Sequence, residues 1–261
     1  MSRPIALITG ASAGIGQELA RVFAARGYDL IICARREERL QTLADELSGV
    51  AKVHTVAVDL SKAKGPAKLV GAIEELDLPV DVLINNAGCA FQGEFVDMSL
   101  NTANDIVALN MRALVETTHR LLPQMIERGQ GNVLNVGSVV GFQAVPGMAL
   151  YSASKAFVLS FTESLAEELR GTGVKVSALC PGLTRTEMTQ DLGADRIPGS
   201  ELMMSDARSV AEAGFDAVNS GDVIRVPGCL NQLAVNWAEY QPRWLKRTVA
   251  GIAGRTVFTA N

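Results

Sequence analysis

A tyrosine and a lysine four residues apart, in the run Tyr151-Ser152-Ala153-Ser154-Lys155, are the side chains of this sequence best placed by type and spacing to do chemistry. Positions i and i+4 share one face of a helix, so the ammonium lies near the phenol. A phenol with an ordinary pKa of about 10 is a poor base at neutral pH. A cation about 4 Å away, at an effective dielectric near 20, favours the phenolate by roughly 4 kcal/mol, about three pKa units. The pair therefore predicts a tyrosine brought near neutrality, where general acid-base exchange is most efficient. Such a short pattern also arises by chance, so its meaning depends on what surrounds it.

Near the N-terminus, Thr9-Gly10-Ala11-Ser12-Ala13-Gly14-Ile15-Gly16 follows an apolar run and leads into the helical segment Gln17 to Ala25. Glycines permit a tight turn and let the backbone approach a pyrophosphate, which then sits on the free amides of the helix N-terminus. The spacing is GxxxGxG rather than the GxGxxG of the common dinucleotide fingerprint. About 20 residues further on, an acidic side chain would bind the ribose 2′-hydroxyl of NAD and an arginine would accept the 2′-phosphate of NADP. The chain reads Cys33-Ala34-Arg35-Arg36 there. Two guanidiniums and no carboxylate favour NADP(H). Arg36 has a second reading, as the opening of a solvated helix face with Glu37, Glu38 and Arg39.

Seven short apolar runs must position these groups: Ile5 to Thr9, Asp29 to Ala34, Val53 to Val58, Val82 to Asn85, Asn132 to Val136, Val174 to Leu179 and Val223 to Val226. Helix-period segments separate them, as where Leu40, Leu43, Ala44 and Leu47 recur at i, i+3, i+4 and i+7 on one buried face. Strand-helix alternation predicts right-handed crossovers and a parallel sheet covered on both sides. No internal repeat or linker divides the 261 residues, which are 48% apolar and 20% charged, a composition that excludes disordered and collagen-like chains. A net charge of −4 gives no electrostatic case for a nucleic-acid partner. Cys33, Cys89, Cys180 and Cys229 form no CxxC pair, and with only His54 and His119 beside them no metal-ligand spacing appears, so no metal is expected and the thiols read as reduced and mostly buried. Neither a signal-peptide core nor a run of about 20 apolar residues is present, which predicts a cytoplasmic protein.

Six blocks in order give these pieces a common meaning: TGASAGIG at 9 to 16 with Asp59 after the third strand, NNAG at 85 to 88, Asn110, Ser138, YSASK at 151 to 155, and PGLTRT at 181 to 186. Over residues 5 to about 228 the chain resembles the short-chain dehydrogenase/reductase family, and more loosely its NADP-preferring bacterial oxidoreductases. The resemblance implies an α/β, Rossmann-type, doubly wound seven-stranded parallel sheet in a single domain. It implies that Tyr151 exchanges a proton with the substrate oxygen, Lys155 lowers its pKa and holds the nicotinamide ribose, and Ser138 polarises the carbonyl. Asn110 would support a proton relay to Lys155 through water. Gly10, Ser12, Gly14, Ile15 and Gly16 would hold the phosphates, Asp59 the adenine, and Asn86 the cleft wall. Pro181, Gly182 and Thr186 would orient the carboxamide. Thr184 stands where the family often has an aliphatic residue, and Cys89 reads as a liner of the cleft. The resemblance also implies a homodimer or homotetramer that pairs the helices carrying Asn110 and Tyr151.

The expected reaction is hydride transfer between NADP(H) and a small-molecule ketone or secondary alcohol. The substrate walls, Cys89 to Gly93, Val139 to Pro146, and Met188, Leu192, Met203 and Met204, are mainly apolar, which predicts an apolar substrate. Gln92 and Gln143 are possible orienting groups. A 3-ketoacyl-thioester reductase and a non-catalytic NADP-binding sensor or scaffold are the alternatives. Thr184 to Ser205 reads as a functional loop. Residues 1–229 form the expected domain, with a net charge of −7, and residues 230–261 form a tail of +3. Leu230, Leu233, Ala234 and Trp237 make a helical stripe there, beside Arg243, Lys246, Arg247 and Arg255 against the single acid Glu239. The tail is expected to be a lid, an oligomer contact or a surface appendage, with membrane-surface contact as the less favoured role.

Overall fold

The computed structural model describes residues 3–193 and 204–242, with Trp244, Leu245 and Thr248 beyond them. Strands β1 (Ile5–Thr9), β2 (Asp29–Ala34), β3 (Val53–Ala57), β4 (Val82–Asn85), β5 (Gly131–Val136), β6 (Val174–Leu179) and β7 (Ile224–Arg225) form one sheet in the order β3-β2-β1-β4-β5-β6-β7. Every pairing is parallel. The seven expected runs are thus the seven strands, with ends shifted by a residue or so; β7, at the sheet edge against β6 alone, keeps only two of four residues.

Helices cover both faces. On one side α1 (Gly14–Ala25), α2 (Glu37–Leu47) and α8 (Ala207–Ser220) pack a core that includes Leu19, Phe23, Leu40, Leu43, Val210 and Phe215. On the other, α3 (Gly65–Leu76), α5 (Leu114–Glu127) and α6 (Ala149–Glu168) bring in Leu69, Ile73, Leu121, Met125 and Leu165. The predicted face of α2, Leu40, Leu43, Ala44 and Leu47, is buried. Each of the three leucines contributes about 1.5–3 kcal/mol when removed from water. Because β1 is buried along its whole length, its sequence IALIT shows no alternation of polar and apolar residues.

Three local features aim side chains at the C-terminal edge of the sheet. Helix α4 (Leu100–Val107) continues through a π-helical turn, Ala108–Ala113, into α5, and this widened turn carries Asn110. Parallel register sets Asn85 opposite Asn135; the Asn85 amide donates to Asn135 Oδ1 at 2.9 Å and to Thr118 Oγ1 at 3.0 Å, so the buried polar groups that end β4 and β5 are satisfied. A short helix α7 (Glu187–Asp191), capped by Thr186 and Thr189, follows β6.

The tail begins as α9 (Cys229–Tyr240). Its buried residues are Val235 and Ala238, and Val235 joins a small core with Leu159, Ala178, Cys180 and Val226. The stripe read from sequence faces outward instead: Leu230 is 72% exposed, Leu233 65% and Trp237 49%, and Ala234 is exposed as well. Docking of Asn231 on Gly182 fixes this rotation. Met203, Arg243, Lys246, Arg247, Arg255 and the side chain of Glu239 lie outside the described residues.

Candidate active site

The glycine turn between β1 and α1 opens the site. Gly10 has φ +70° and a β-carbon there would stand 2.8 Å from Ala87 Cα; one on Gly16 would stand 2.3 Å from Asn86 Nδ2. Only glycine lets the β1 and β4 loops close this tightly, and Asn86 seals the join by donating to the carbonyls of Thr9 at 2.9 Å and Gly10 at 3.2 Å. Ala13, the residue before α1, supplies no capping side chain, so the first amides of the helix point into the cleft without a side-chain acceptor. That is the seat an anionic pyrophosphate requires.

The cleft above it has a volume of about 440 Å³. It gathers Gly10, Ser12, Gly14, Ile15, Gly16, Arg35, Arg36, Asp59, Asn86, Ser138, Tyr151, Lys155, Pro181, Gly182 and Thr186, so of the expected site residues only Asn110 stands behind the wall. The bare helix terminus, the cradle that side chains would fill and the two arginines at the β2 end all fit a phosphorylated dinucleotide.

Tyr151 and Lys155 lie on α6, and Ser138 caps the 3-10 turn Val139–Phe142 after β5, accepting from the Val140 amide at 3.3 Å. Lys155 is buried and donates to the Val136 carbonyl at 2.7 Å; its Nζ lies 5.7 Å from the centre of the Tyr151 ring. Burial pulls its pKa down to about 8. Tyr151 departs from the near-neutral pKa expected from sequence: burial pushes its phenol up to about 12, against a weaker lowering by the Ser138 hydrogen bond. Desolvation of the phenolate dominates, and the ammonium is directed at the sheet-edge carbonyl instead. A tyrosine of this kind holds its proton at neutral pH and can give it to a developing alkoxide.

Asn110 is buried one layer back. Its Oδ1 accepts from the Cys89 amide at 2.9 Å, and its Nδ2 donates to the Cys89 carbonyl at 2.9 Å and to Ser154 Oγ at 3.0 Å. It thus ties the NNAG loop to α6. A β-carbon on Gly88 would meet both Asn110 Oδ1, at 3.2 Å, and Lys155 Nζ, at 3.8 Å. Asp59 holds its own turn, accepting from the Ser61 amide at 2.9 Å and hydroxyl at 2.8 Å. Thr184 is buried with its hydroxyl on the Gly182 carbonyl at 3.1 Å, so the polar substitution is satisfied locally. Cys33 and Cys180 are buried, Cys89 is half-buried in the cleft with its thiol pushed up to about 11 by burial, and Cys229 is exposed.

Sequence reasoning missed Glu187. It stands in the cleft mouth, and its carboxylate accepts from Arg36 at 2.9 Å and from Arg39. The partners are about 150 residues apart and carry no local signal. Asn231, which fills the space over Gly182, was missed for the same reason. Among the described residues no group of His, Cys, Asp and Glu side chains could hold a metal ion, and no helix is long and apolar enough to cross a membrane.

The sheet order, the glycine cradle and the Ser-Tyr-Lys edge define a dinucleotide-dependent oxidoreductase, and comparison with known proteins agrees. Residues 4–197 match the family model for short chain dehydrogenases. The chain is 43% identical over 187 residues to sulfoacetaldehyde reductase 2 of Chromohalobacter salexigens, covering 71% of this chain and 74% of that protein. Its structure superposes on a short-chain dehydrogenase from Sphingobium yanoikuyae in complex with NADPH with a TM-score of 0.82 at 32% identity, covering 99% of this chain and 96% of the other. A bulky-bulky ketone specific alcohol dehydrogenase from Comamonas testosteroni gives 0.78 at 30% identity, covering 93% and 96%. The protein belongs to the short-chain dehydrogenase/reductase family. It is an oxidoreductase that acts on the carbonyl or alcohol group of a small molecule with a nicotinamide cofactor.

Proposed function

We propose that the chain reduces an apolar ketone, or oxidises the matching secondary alcohol, with NADP(H). The observation that carries this reading is the convergence of Ser138, Tyr151 and Lys155 on one cleft whose far end offers Arg35 and Arg36. The cofactor supplies the hydride to the substrate carbon. Ser138 donates to the substrate oxygen and Tyr151 delivers its proton to that oxygen as charge develops. Lys155 holds the nicotinamide ribose, and Asn110, bound to the loop beside it, supports proton resupply through water. Gly10, Ser12, Gly14, Ile15 and Gly16 would hold the phosphates, Asp59 the adenine, Asn86 the cleft wall beside the glycine turn, and Pro181, Gly182 and Thr186 the carboxamide end. The guanidiniums of Arg35 and Arg36, with no carboxylate at the end of β2, favour the 2′-phosphate.

Ala90, Met188 and Leu192 in the cleft wall support an apolar substrate. A small anionic aldehyde is the second reading, favoured by the name of the Chromohalobacter relative. NADPH oxidation across a panel of hydrophobic ketones, charged keto acids and sulfonated aldehydes separates the two. Preference for the charged compounds would overturn the apolar reading.

The working unit is a homodimer or homotetramer in the cytoplasm. Exposed Phe95, Val96, Leu100 and Val107, on and beside α4, support subunit pairing. In residues 230–261, taken as an appendage to the domain 1–229, the exposed stripe of α9 supports a subunit contact rather than a lid.

A further inference from the structure

One of the two arginines at the end of β2 is already engaged. Arg36 donates through Nη1 to Glu187 Oε2 at 2.9 Å, and through Nε and Nη2 to Ser12 Oγ at 3.2 and 3.0 Å. Arg39, one turn along α2, donates to the other carboxylate oxygen. Glu187 is the first residue of α7, held by the Thr186–Thr189 cap, so it reaches from the segment after β6 across the cleft mouth to the start of α2. Ser12, Arg36 and Glu187 line one continuous cleft. The hydrogen bonds from Arg39 and Arg36 hold the carboxyl below its ordinary pKa, so it is an anion across the working pH range.

We propose that Glu187 is a specificity-determining residue for the cofactor, opposing the 2′-phosphate by competing with it for Arg36. The inference rests on the NADP(H) reading given above. A 2′-phosphate seated on the Nη1 edge of Arg36 takes that donor from Glu187 and leaves the carboxylate to Arg39. The free 2′-hydroxyl of NAD(H) makes no such demand. Arg39 gives the displaced carboxylate a place to remain, so exchange does not strand a charge. The competition falls on NADP(H) alone, and α7, which carries Met188 in the cleft wall, shifts partners only when the phosphorylated cofactor arrives.

All three side chains are nearly half exposed, so the effect is that of a partly screened ion pair. The test is equilibrium binding of NADPH and NADH, followed by cofactor fluorescence, to the full chain, Glu187→Gln, Arg36→Ala and the double variant. Glu187→Gln is expected to lower the Kd for NADPH by about three- to tenfold while leaving that for NADH within about twofold. The gain should vanish when Arg36 is also alanine. An unchanged ratio in Glu187→Gln, weaker NADPH binding, or a gain that survives without Arg36 would overturn the role of Glu187. Tighter binding of NADH than NADPH by the unaltered protein would instead overturn the NADP(H) reading itself.

Discussion

Lys155 donates its ammonium to the carbonyl of Val136, the last residue of β5, at 2.7 Å. This bond fixes the distance between the sheet edge and the α6 face that carries Tyr151. The phenol keeps a high pKa because burial governs it, while the ammonium is directed at the backbone carbonyl. The phenol is thereby held in its protonated form at neutral pH.

A pH dependence follows from the two directions. Reduction needs the phenol protonated, which holds up to about pH 12, and the lysine charged, which holds only up to about pH 8. Reductive kcat/KM should be flat at neutral pH and fall as pH rises through about 8, the lysine setting the limb. A kcat/KM profile checks this; an activity that instead rises steadily from pH 7 to pH 10 contradicts it.

Asn110 ties the NNAG loop to α6. Asn110→Ala removes partners from the Cys89 amide and carbonyl and from Ser154, at a cost of about 1–3 kcal/mol. Thermal unfolding should shift down by about 2–4 °C for each kcal/mol in a chain near this size. Retention of the parental Tm would show that these bonds are replaced.

Gly182 is fixed by the tail. A β-carbon there would stand 2.5 Å from Asn231 Oδ1, so Gly182→Ala should cost about 1–3 kcal/mol through overpacking and loosen α9. Adding Asn231→Ala should return part of that loss in a double-mutant cycle, read by denaturant melts. Strictly additive losses would place the strain elsewhere.

Arg36→Ala should raise the Kd for NADPH by about tenfold or more, the scale of a lost charged hydrogen bond, with a much smaller effect on NADH. Titration with both cofactors reads the difference. An equal loss for the two would assign Arg36 to general charge rather than to the 2′-phosphate.

The strands were legible because a parallel sheet covered on both faces makes its strands continuously apolar, as in IALIT and the buried run of β2. The glycine turn and the Tyr151–Lys155 pair could be singled out because they stand at a strand end and at i, i+4 on one helix, while Ser138 is expected from the family resemblance alone; all of them line the one cleft. What sequence did not reveal depends on contacts between distant segments. The stripe Leu230, Leu233, Ala234 and Trp237 has the more apolar side chains, yet α9 docks through Asn231, Val235 and Ala238 because the space above Gly182 admits an amide. The π-helical turn carries Asn110 into three bonds with Cys89 and Ser154, and Glu187 meets Arg36 only once the whole sheet is assembled.

The most direct measurement of the central claim is single-turnover oxidation of bound NADPH by a reducible ketone, compared between the unaltered protein and Tyr151→Phe. Losing the proton donor should slow hydride transfer by about 10²–10⁴-fold while NADPH binding stays within about twofold. Full-rate turnover by Tyr151→Phe with NADPH bound normally would contradict the assignment of Tyr151 as the group that protonates the substrate oxygen.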